Sequence, residues 1–209
     1  MNPTDIAAGY ATIAPAYAAE LLRELDGKPL DRGFLDAFAA STTGRIVDVG
    51  CGPGQIAAYL ATRGAAVEGL DLSPEMIAEA RRAQPAIPFT VGDMCALPYP
   101  DASLGGIAAF YAIVHLPTAA LGAPLREFHR VLAPGGLLAL AFHIGETAVH
   151  VDEMWGQPTA LDFHFHPADA VVAALAEAGL TVEARLERAP YPGAEHPSQR
   201  AYLLARKER

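Results

Sequence analysis

The apolar residues of this chain fall into short, nearly continuous runs that alternate with segments of helical spacing. The runs are Ile46–Gly50, Val67–Asp71, Phe89–Asp93, Leu104–Tyr111 and Leu137–His143. The helical segments between them are Gln55–Arg63, Pro74–Ala83 and Ala119–Leu132. Continuous apolar runs are typical of strands buried on both faces, and their alternation with helices indicates a parallel sheet. The pattern therefore predicts an α/β fold with helices on both faces of the sheet.

Further elements are predicted on either side of this central alternation. The N-terminal pattern predicts a helix over Thr4–Leu25, interrupted near Pro15, and a second helix over Gly33–Ala40. The C-terminal pattern predicts, in order, a helix over Ala168–Ala178 and strands over about Thr181–Glu187 and Arg200–Ala205. The stretch Ile144–Pro167 breaks the rhythm and mixes aromatic residues with turn-forming ones. Because long irregular connections usually carry function or are disordered, we expect residues 144–167 to form a substrate-side insertion.

A glycine-rich turn follows the first predicted strand and precedes a helix. Gly50, Gly52 and Gly54 tolerate positive φ and let a ligand approach the backbone closely. The fingerprint of dinucleotide enzymes, G-x-G-x-x-G, differs at two places: its third glycine position holds Gln55, and Pro53 lacks an N–H donor. The turn therefore favours a nucleotide-shaped ligand that needs close approach more than phosphate binding. An NAD(P)-dependent oxidoreductase remains an alternative.

Polar side chains also follow the next two predicted strands. Asp71 ends the second strand, where a carboxylate can accept both ribose hydroxyls, and Asp93 and Met94 follow the third. A carboxylate there can accept from an exocyclic amine while a thioether covers a ring face. Since the carboxyl ends of parallel strands share one edge of the sheet, these groups are predicted to bind a single ligand.

With these motifs in place, the chain resembles the class I S-adenosylmethionine-dependent methyltransferases, in particular the small-molecule group. The resemblance covers Tyr10 to the last strand and is strongest at Val47–Gly54, Asp71, Gly92–Met94 and Glu127–Leu137. It implies one Rossmann-like domain over residues 1–209, a three-layer sandwich with a mostly parallel seven-stranded sheet and an antiparallel last strand. It also implies an N-terminal helical lid at residues 1–42 and S-adenosylmethionine as cofactor, with S-adenosylhomocysteine as product.

The resemblance also assigns cofactor contacts. Asp48, Gly50 and Gly52 would hold the methionine end, Asp71 the ribose, and Asp93 and Met94 the adenine. The complete set of expected contacts is Tyr10, Tyr17, Asp48, Gly50, Cys51, Gly52, Asp71, Leu72, Met76, Asp93, Met94 and Phe110. Two of these assignments have alternatives. The tyrosines fit simple helix packing equally well, and a carboxylate inside a strand, as at Asp48, needs a backbone N–H or a cation such as the cofactor ammonium.

Methyl transfer from a sulfonium is a displacement that depends largely on alignment of the reacting groups. A hydroxyl acceptor also needs a base, for which a histidine is suited. His143 at the end of the fifth predicted strand is the first candidate, and His115 and Tyr111 are alternates. His164 and His166 are weaker candidates, and together with His150 and Asp152 they also suggest a metal site. Because spacing fixes no third ligand, we expect a pocket wall or a solvated loop and no metal.

Composition limits the partners and the compartment. The formal net charge of −9 opposes binding to nucleic acid, and 209 residues suit one domain that is monomeric or homodimeric. Two cysteines do not make a disulfide framework, no basic leader precedes an apolar segment, and no apolar run approaches membrane-spanning length. We therefore expect a cytoplasmic enzyme with a small-molecule substrate. A cofactor-binding regulatory protein without methyltransferase activity is a further alternative.

Overall fold

The computed structural model describes residues 2–193 and 195–208, and its centre is a seven-stranded sheet in the order β3-β2-β1-β4-β5-β9-β8. The strands of this sheet are β1 (Ile46–Val49), β2 (Val67–Asp71), β3 (Phe89–Val91), β4 (Leu104–Phe110), β5 (Leu132–Ile144), β8 (Leu180–Arg188) and β9 (Gln199–Lys207). β1 to β5 pair in parallel, whereas β9 runs antiparallel to both β5 and β8. The predicted Rossmann-like sheet and its antiparallel last strand are confirmed.

Helices cover both faces of the sheet. Their bounds are α1 (Pro3–Leu21), α2 (Pro29–Ser41), α3 (Gln55–Thr62), α4 (Pro74–Ala83), α5 (Gly122–Val131) and α6 (Ala168–Glu177). Alternate residues of one strand point to different layers: Ile107 packs in the cluster that contains α5 and α6, and Ala108 packs in the one that contains α2 and α3. None of the helices in the described part of the chain has the length and hydropathy required to cross a bilayer.

The N-terminal helix differs from the prediction because it continues through Pro15. α1 runs unbroken from Pro3 to Leu21, and the predicted end at Leu25 lies in a separate short helical turn, Glu24–Gly27. An interior proline costs about 3 kcal/mol because one backbone hydrogen bond is lost. Burial of Ile13, Ala14 and Ala18 against the rest of the protein offsets this loss.

The segment predicted as an irregular insertion is a β-hairpin. β6 (Ala148–Met154) and β7 (Gln157–His164) pair antiparallel and are joined at Trp155 and Gly156, whose φ angles are 51° and 73°. Positive φ at both central positions is typical of the tight turns that match strand twist. The sequence pattern missed the hairpin because apolar and polar residues are mixed along its two strands, and Leu161 alone among the residues of these strands is fully buried.

Helix α1 packs closely on this hairpin. A Cβ at Gly9 would lie 2.6 Å from Leu161 Cδ2, so a side chain there would force Leu161 to shift. Thr12 donates to the Pro158 carbonyl at 2.7 Å, and Thr159 donates to the Gly9 carbonyl at 2.7 Å. The hairpin and α1 are therefore bound to each other by packing and by two hydrogen bonds.

Candidate active site

A cavity of about 390 Å³ opens at the carboxyl ends of the central strands. Its wall includes every predicted cofactor contact except Asp48, namely Tyr10, Tyr17, Gly50, Cys51, Gly52, Asp71, Leu72, Met76, Asp93, Met94 and Phe110. The base candidates Tyr111, His115 and His143 also line it, whereas the weaker candidates His164 and His166 do not. Residues from α1 and from the hairpin β6–β7 complete the wall, among them Ile6, Trp155 and Phe163. The fold thus brings together side chains that are more than 130 positions apart in the sequence.

The glycine turn adopts the backbone conformation that its composition predicts. Gly50, Gly52 and Gly54 have φ angles of 69°, 51° and 87°. A Cβ at Gly50 would lie 2.7 Å from the Ala112 Cβ, so a side chain there would close the turn against the next loop. Positive φ and close approach together explain why glycine is required at this position.

Asp71 is bound to the glycine turn. Its Oδ2 accepts a hydrogen bond from the Gly52 N–H at 2.8 Å, and its Oδ1 accepts one from the Ser73 N–H at 2.9 Å. The helix cap itself is Ser73, whose Oγ accepts from the Met76 N–H at 3.2 Å. Burial raises the pKa of Asp71. Because each carboxylate oxygen accepts more than one hydrogen bond, capacity remains for two ligand hydroxyls.

Asp93 and Met94 stand at the next strand end and also line the cavity. Asp93 Oδ1 accepts from the Cys95 N–H at 2.8 Å, which fixes the orientation of the carboxylate. Leu72 and Met76 add apolar surface beside them. This end of the cavity therefore combines an oriented acceptor with apolar side chains, as a purine ring requires.

Asp48 lies outside the cavity wall, in contrast to the other predicted contacts. Its carboxylate is 1% exposed, and Oδ2 accepts from the Ala57 N–H at 3.0 Å in helix α3. Burial, followed by weaker repulsion from Asp71, raises the pKa of Asp48 to about 8. The carboxyl group thus meets the backbone N–H that a strand interior demands, and no geometry supports direct contact with a cofactor ammonium.

This raised pKa predicts how stability depends on pH. The folded protein holds the Asp48 proton up to about pH 8, whereas an unfolded aspartate releases it near its ordinary pKa of 3.8. Stability should therefore fall as the pH rises across this window. Asp48→Asn retains an acceptor for Ala57 and is expected to remove that loss. The midpoint of thermal unfolding should be measured for both proteins from pH 5 to pH 9. As the pH rises, the midpoint of the variant should increase relative to that of the wild type. Midpoints that change in parallel with pH would contradict the assignment.

His115 connects α1 to the hairpin. Its Nδ1 lies 2.8 Å from the Asp162 carbonyl, which can only accept, so Nδ1 carries the proton and Nε2 accepts from the Tyr10 hydroxyl at 2.8 Å. Burial lowers the pKa of His115 to about 4, so the ring is neutral. Since both ring nitrogens are engaged, His115 is better suited to hold Tyr10 in place than to act as the base, the role for which the sequence made it an alternate candidate.

Aromatic rings continue from Tyr10 across the cavity mouth. Tyr17 lies 5.8 Å from Tyr10 and 5.4 Å from Trp155 between ring centroids, in edge-to-face geometry. A Cβ at Gly52 would lie 3.7 Å from the Tyr17 ring, so the same ring borders the glycine turn. The tyrosines thus both pack in the helix layer and face the cavity, which combines the two readings that the sequence left open.

His143 and Tyr111 form the wall at the ends of β5 and β4. Their ring centroids are 4.9 Å apart, and His143 Nδ1 lies 2.8 Å from the Ser198 Oγ. Burial and the neighbouring cations lower the pKa of His143 to about 3, so it is neutral at physiological pH and a weak base. Tyr111 has φ 56°, a strained conformation for a residue with a side chain, and such strain is frequent at functional sites.

A charged wall, which the sequence did not reveal, borders these two rings. It consists of Glu24, Lys28, Glu195 and Arg200 in the cavity lining, with Asp31 and Arg188 behind them. Glu195 accepts from Arg188 at 2.7 and 2.9 Å and lies 3.2 Å from Lys28 and 3.3 Å from Arg200. Of the ion pairs in this wall, that of Glu24 with Lys28 alone has a spacing, i and i+4, from which an ion pair can be expected in the sequence. The other members come from distant segments that meet only in the folded chain.

The histidines considered as metal ligands do not converge. His150 is exposed and pairs with Asp162 at 2.6 Å and Asp152 at 3.0 Å, whereas His166 is buried, with Nδ1 2.9 Å from Thr118 Oγ1. Among residues 2–193 and 195–208, no group of three histidine, cysteine or carboxylate side chains is arranged to hold a metal ion.

The family profile and the two sequence relatives compared with this chain are all described as methyltransferases. A family profile described as methyltransferase domain matches residues 46–136, which contain the glycine turn, Asp71 and Asp93. A malonyl-acyl-carrier-protein O-methyltransferase from Enterobacter lignolyticus is 32% identical over 74% of this chain and 61% of its own. A demethylmenaquinone methyltransferase from Beutenbergia cavernae is 32% identical over 67% of this chain and 58% of its own. The chain thus spans about three-fifths of these curated relatives.

Solved structures share the fold at low identity. A methyltransferase from Methanosarcina mazei, described as dependent on S-adenosylmethionine, has a TM-score of 0.73 and 19% identity, covering 86% of this chain and 97% of its own. A cyclase also has a TM-score of 0.73, with 20% identity over 100% of this chain and 97% of its own. At such identities the likeness concerns the fold alone, and this fold accommodates more than one activity.

Proposed function

Because the chain belongs to the class I S-adenosylmethionine-dependent methyltransferases, we propose that it binds this cofactor in the cavity and transfers its methyl group to a small organic acceptor. The observation that carries the proposal is the position of three successive strand ends, with Gly50–Gly52, Asp71 and Asp93, on the wall of one cavity. An adenosine with an amino-acid tail requires these groups in this order: close backbone approach, a hydroxyl acceptor and an amine acceptor.

Each part of the cofactor has matching side chains. Asp71 accepts the ribose hydroxyls, while Asp93 and Met94 hold the adenine. Glu24 and Lys28 stand beside the turn, where Gln55 Nε2 donates to Glu24 Oε1 at 2.9 Å. The Glu24 carboxylate complements the ammonium group of the methionine end, and the Lys28 ammonium complements its carboxylate. In this proposal, Glu24 and Lys28 take the role at the methionine end that the resemblance assigned to Asp48.

The chain contributes alignment and exclusion of water more than proton transfer. The bound sulfonium supplies an activated methyl carbon, and correct alignment is worth about 7–11 kcal/mol for such a displacement. Tyr10, Tyr17 and Trp155 cover the cavity, and His115 holds Tyr10 through a hydrogen bond of 2.8 Å. Tyr111 and His143 face the acceptor side, where a neutral His143 offers hydrogen bonds to the acceptor.

Calorimetric titration of the wild-type protein tests the proposal. We expect saturable micromolar binding of S-adenosylhomocysteine and none of NAD, since Pro53 removes a donor that a diphosphate would use. Preference for NAD would restore the oxidoreductase alternative. Binding of S-adenosylhomocysteine without methyl transfer to any member of an acceptor panel would favour the cofactor-binding regulatory protein.

The compartment and the assembly are part of the same proposal. Cys51 and Cys95 are both free thiols, which suits the reducing interior of the cytoplasm. The protein acts as a monomer or homodimer on a substrate that is neither nucleic acid nor membrane. Light scattering of the purified protein measures the assembly directly.

A further inference from the structure

The end of the cavity beside His143 and Tyr111, called the acceptor end here, contains a buried cation, Arg200, that has no carboxylate of its own among the described residues. Arg200 in β9 is the direct register partner of His143 in β5, and its side chain is 4% exposed. Both residues line the cavity. A guanidinium so deeply buried requires anionic or carbonyl partners.

The other cations of the charged wall have carboxylates of their own. Arg188 pairs with Asp31 at 2.8 Å and takes both oxygens of Glu195, and Lys28 pairs with Glu24. Arg200 has only a share of Glu195, at 3.3 Å from its Nε. Its charge is therefore the least neutralised of the three.

The hydrogen bonds of Arg200 leave donors free. Nη1 donates to the carbonyls of His196 and Ser198 at 3.1 and 2.7 Å, and the buried Nε has no hydrogen-bond partner. In the described part of the chain, Nη2 makes no hydrogen bond either. An oxygen anion in the cavity would complete this set.

His143 beside it also has a free position. Its Nδ1 is engaged with Ser198 Oγ, while Nε2 makes no hydrogen bond with any described residue. Burial, and after it the neighbouring Arg200, disfavours a proton on this ring, so His143 is poorly suited to deprotonate a hydroxyl. An acceptor that already carries its negative charge needs no such base.

We propose that the methyl acceptor is the carboxylate of a small amphiphilic organic acid, held by Arg200 beside His143 and Tyr111. This assignment rests on the proposed function and names its substrate class. The cavity wall also includes the apolar side chains of Ile6, Leu116, Trp155 and Phe163, so we assign an apolar remainder to the acid, as in an aryl-substituted or medium-chain acid.

The reaction then balances without a base. A carboxylate oxygen supplies an electron pair to the methyl carbon, the carbon–sulfur bond breaks, and its electron pair remains on sulfur. The anion and the sulfonium become a neutral methyl ester and a neutral thioether, and no proton moves. Arg200 holds the second carboxylate oxygen, which keeps the attacking oxygen in line.

Titration of the protein saturated with S-adenosylhomocysteine tests the substrate class. The single tryptophan, Trp155, lines the cavity, so its fluorescence reports occupancy. We expect octanoate or 3-phenylpropionate to bind saturably and their primary amides at least about 30-fold more weakly. With S-adenosylmethionine, mass spectrometry should detect the methyl ester of the acid. Amides that bind as well as the acids, or acids that do not bind, would overturn the assignment.

Variants separate this inference from the cofactor assignment. Arg200→Gln should weaken acid binding about 30-fold or more and leave the affinity for S-adenosylhomocysteine unchanged. Arg185→Gln, on neighbouring β8 and outside the cavity wall, is the matched control and should change neither. Undiminished acid binding in Arg200→Gln would contradict the proposal. Failure of the wild type to bind S-adenosylhomocysteine would instead refute the proposed function itself.

Discussion

Replacing Asp71 with alanine is expected to weaken binding of S-adenosylhomocysteine by at least about 100-fold, since each of the two lost hydrogen bonds to a charged group contributes about 1.5–3 kcal/mol. The carboxylate would lose both ribose hydroxyls. It would also release the Gly52 N–H, now bound at 2.8 Å, so the turn would lose the contact that orients it. Isothermal calorimetry measures both the affinity and the enthalpy lost.

The control for Asp71→Ala is Asp101→Ala. Asp101 is 81% exposed, pairs with Arg130 at 2.8 Å and does not line the cavity, so its removal should leave the affinity unchanged. Circular dichroism of both variants separates lost binding from lost folding. If Asp71→Ala folds and binds as tightly as the wild type, the ribose assignment is wrong.

The second large effect is expected on stability from Glu195→Gln. Glu195 is the shared carboxylate of Arg188, Lys28 and Arg200, and its side chain is 1% exposed. Removing one partner of a buried ion pair costs about 3–5 kcal/mol, because the remaining charges stay uncompensated. For a chain of this length, the midpoint of thermal unfolding should fall by roughly 6–20 °C.

The pH dependence of this effect has a definite sign. Burial alone would raise the pKa of Glu195, but the hydrogen bond from Arg188 and the other nearby cations lower it to about 2. The stabilisation by Glu195 is thus complete above its ordinary value of 4.5 and is lost as the pH falls towards 2. The difference in the midpoint of thermal unfolding between the wild type and Glu195→Gln should therefore decrease as the pH falls over that range. Glu183→Gln, which breaks the more exposed pair with Arg206, is the control and should change stability by at most about 1 kcal/mol.

The sequence by itself determined the sheet and the nucleotide end of the cavity. Both depend on local rules: continuous apolar runs form buried strands, glycines permit the turn after β1, and parallel strands place Asp71 and Asp93 at one edge. The cap at Ser73 follows from an equally local signal, the serine that directly precedes Pro74, whereas the antiparallel β9 was implied only by the resemblance to the family. For these features, the residues that decide the structure are close to one another in the chain.

Only the tertiary structure decided the acceptor end of the site and the cover of the cavity. The hairpin β6–β7 has no apolar run of its own and is held by α1 through contacts about 150 residues apart, such as Thr159 with Gly9. Asp48 looked like a ligand contact, but helix α3 supplies the N–H that it requires. Glu195 meets Lys28 across more than 160 positions, and no spacing in the sequence encodes that distance. Charges and rings contributed by distant segments acquire partners, burial and altered pKa values only when the chain folds.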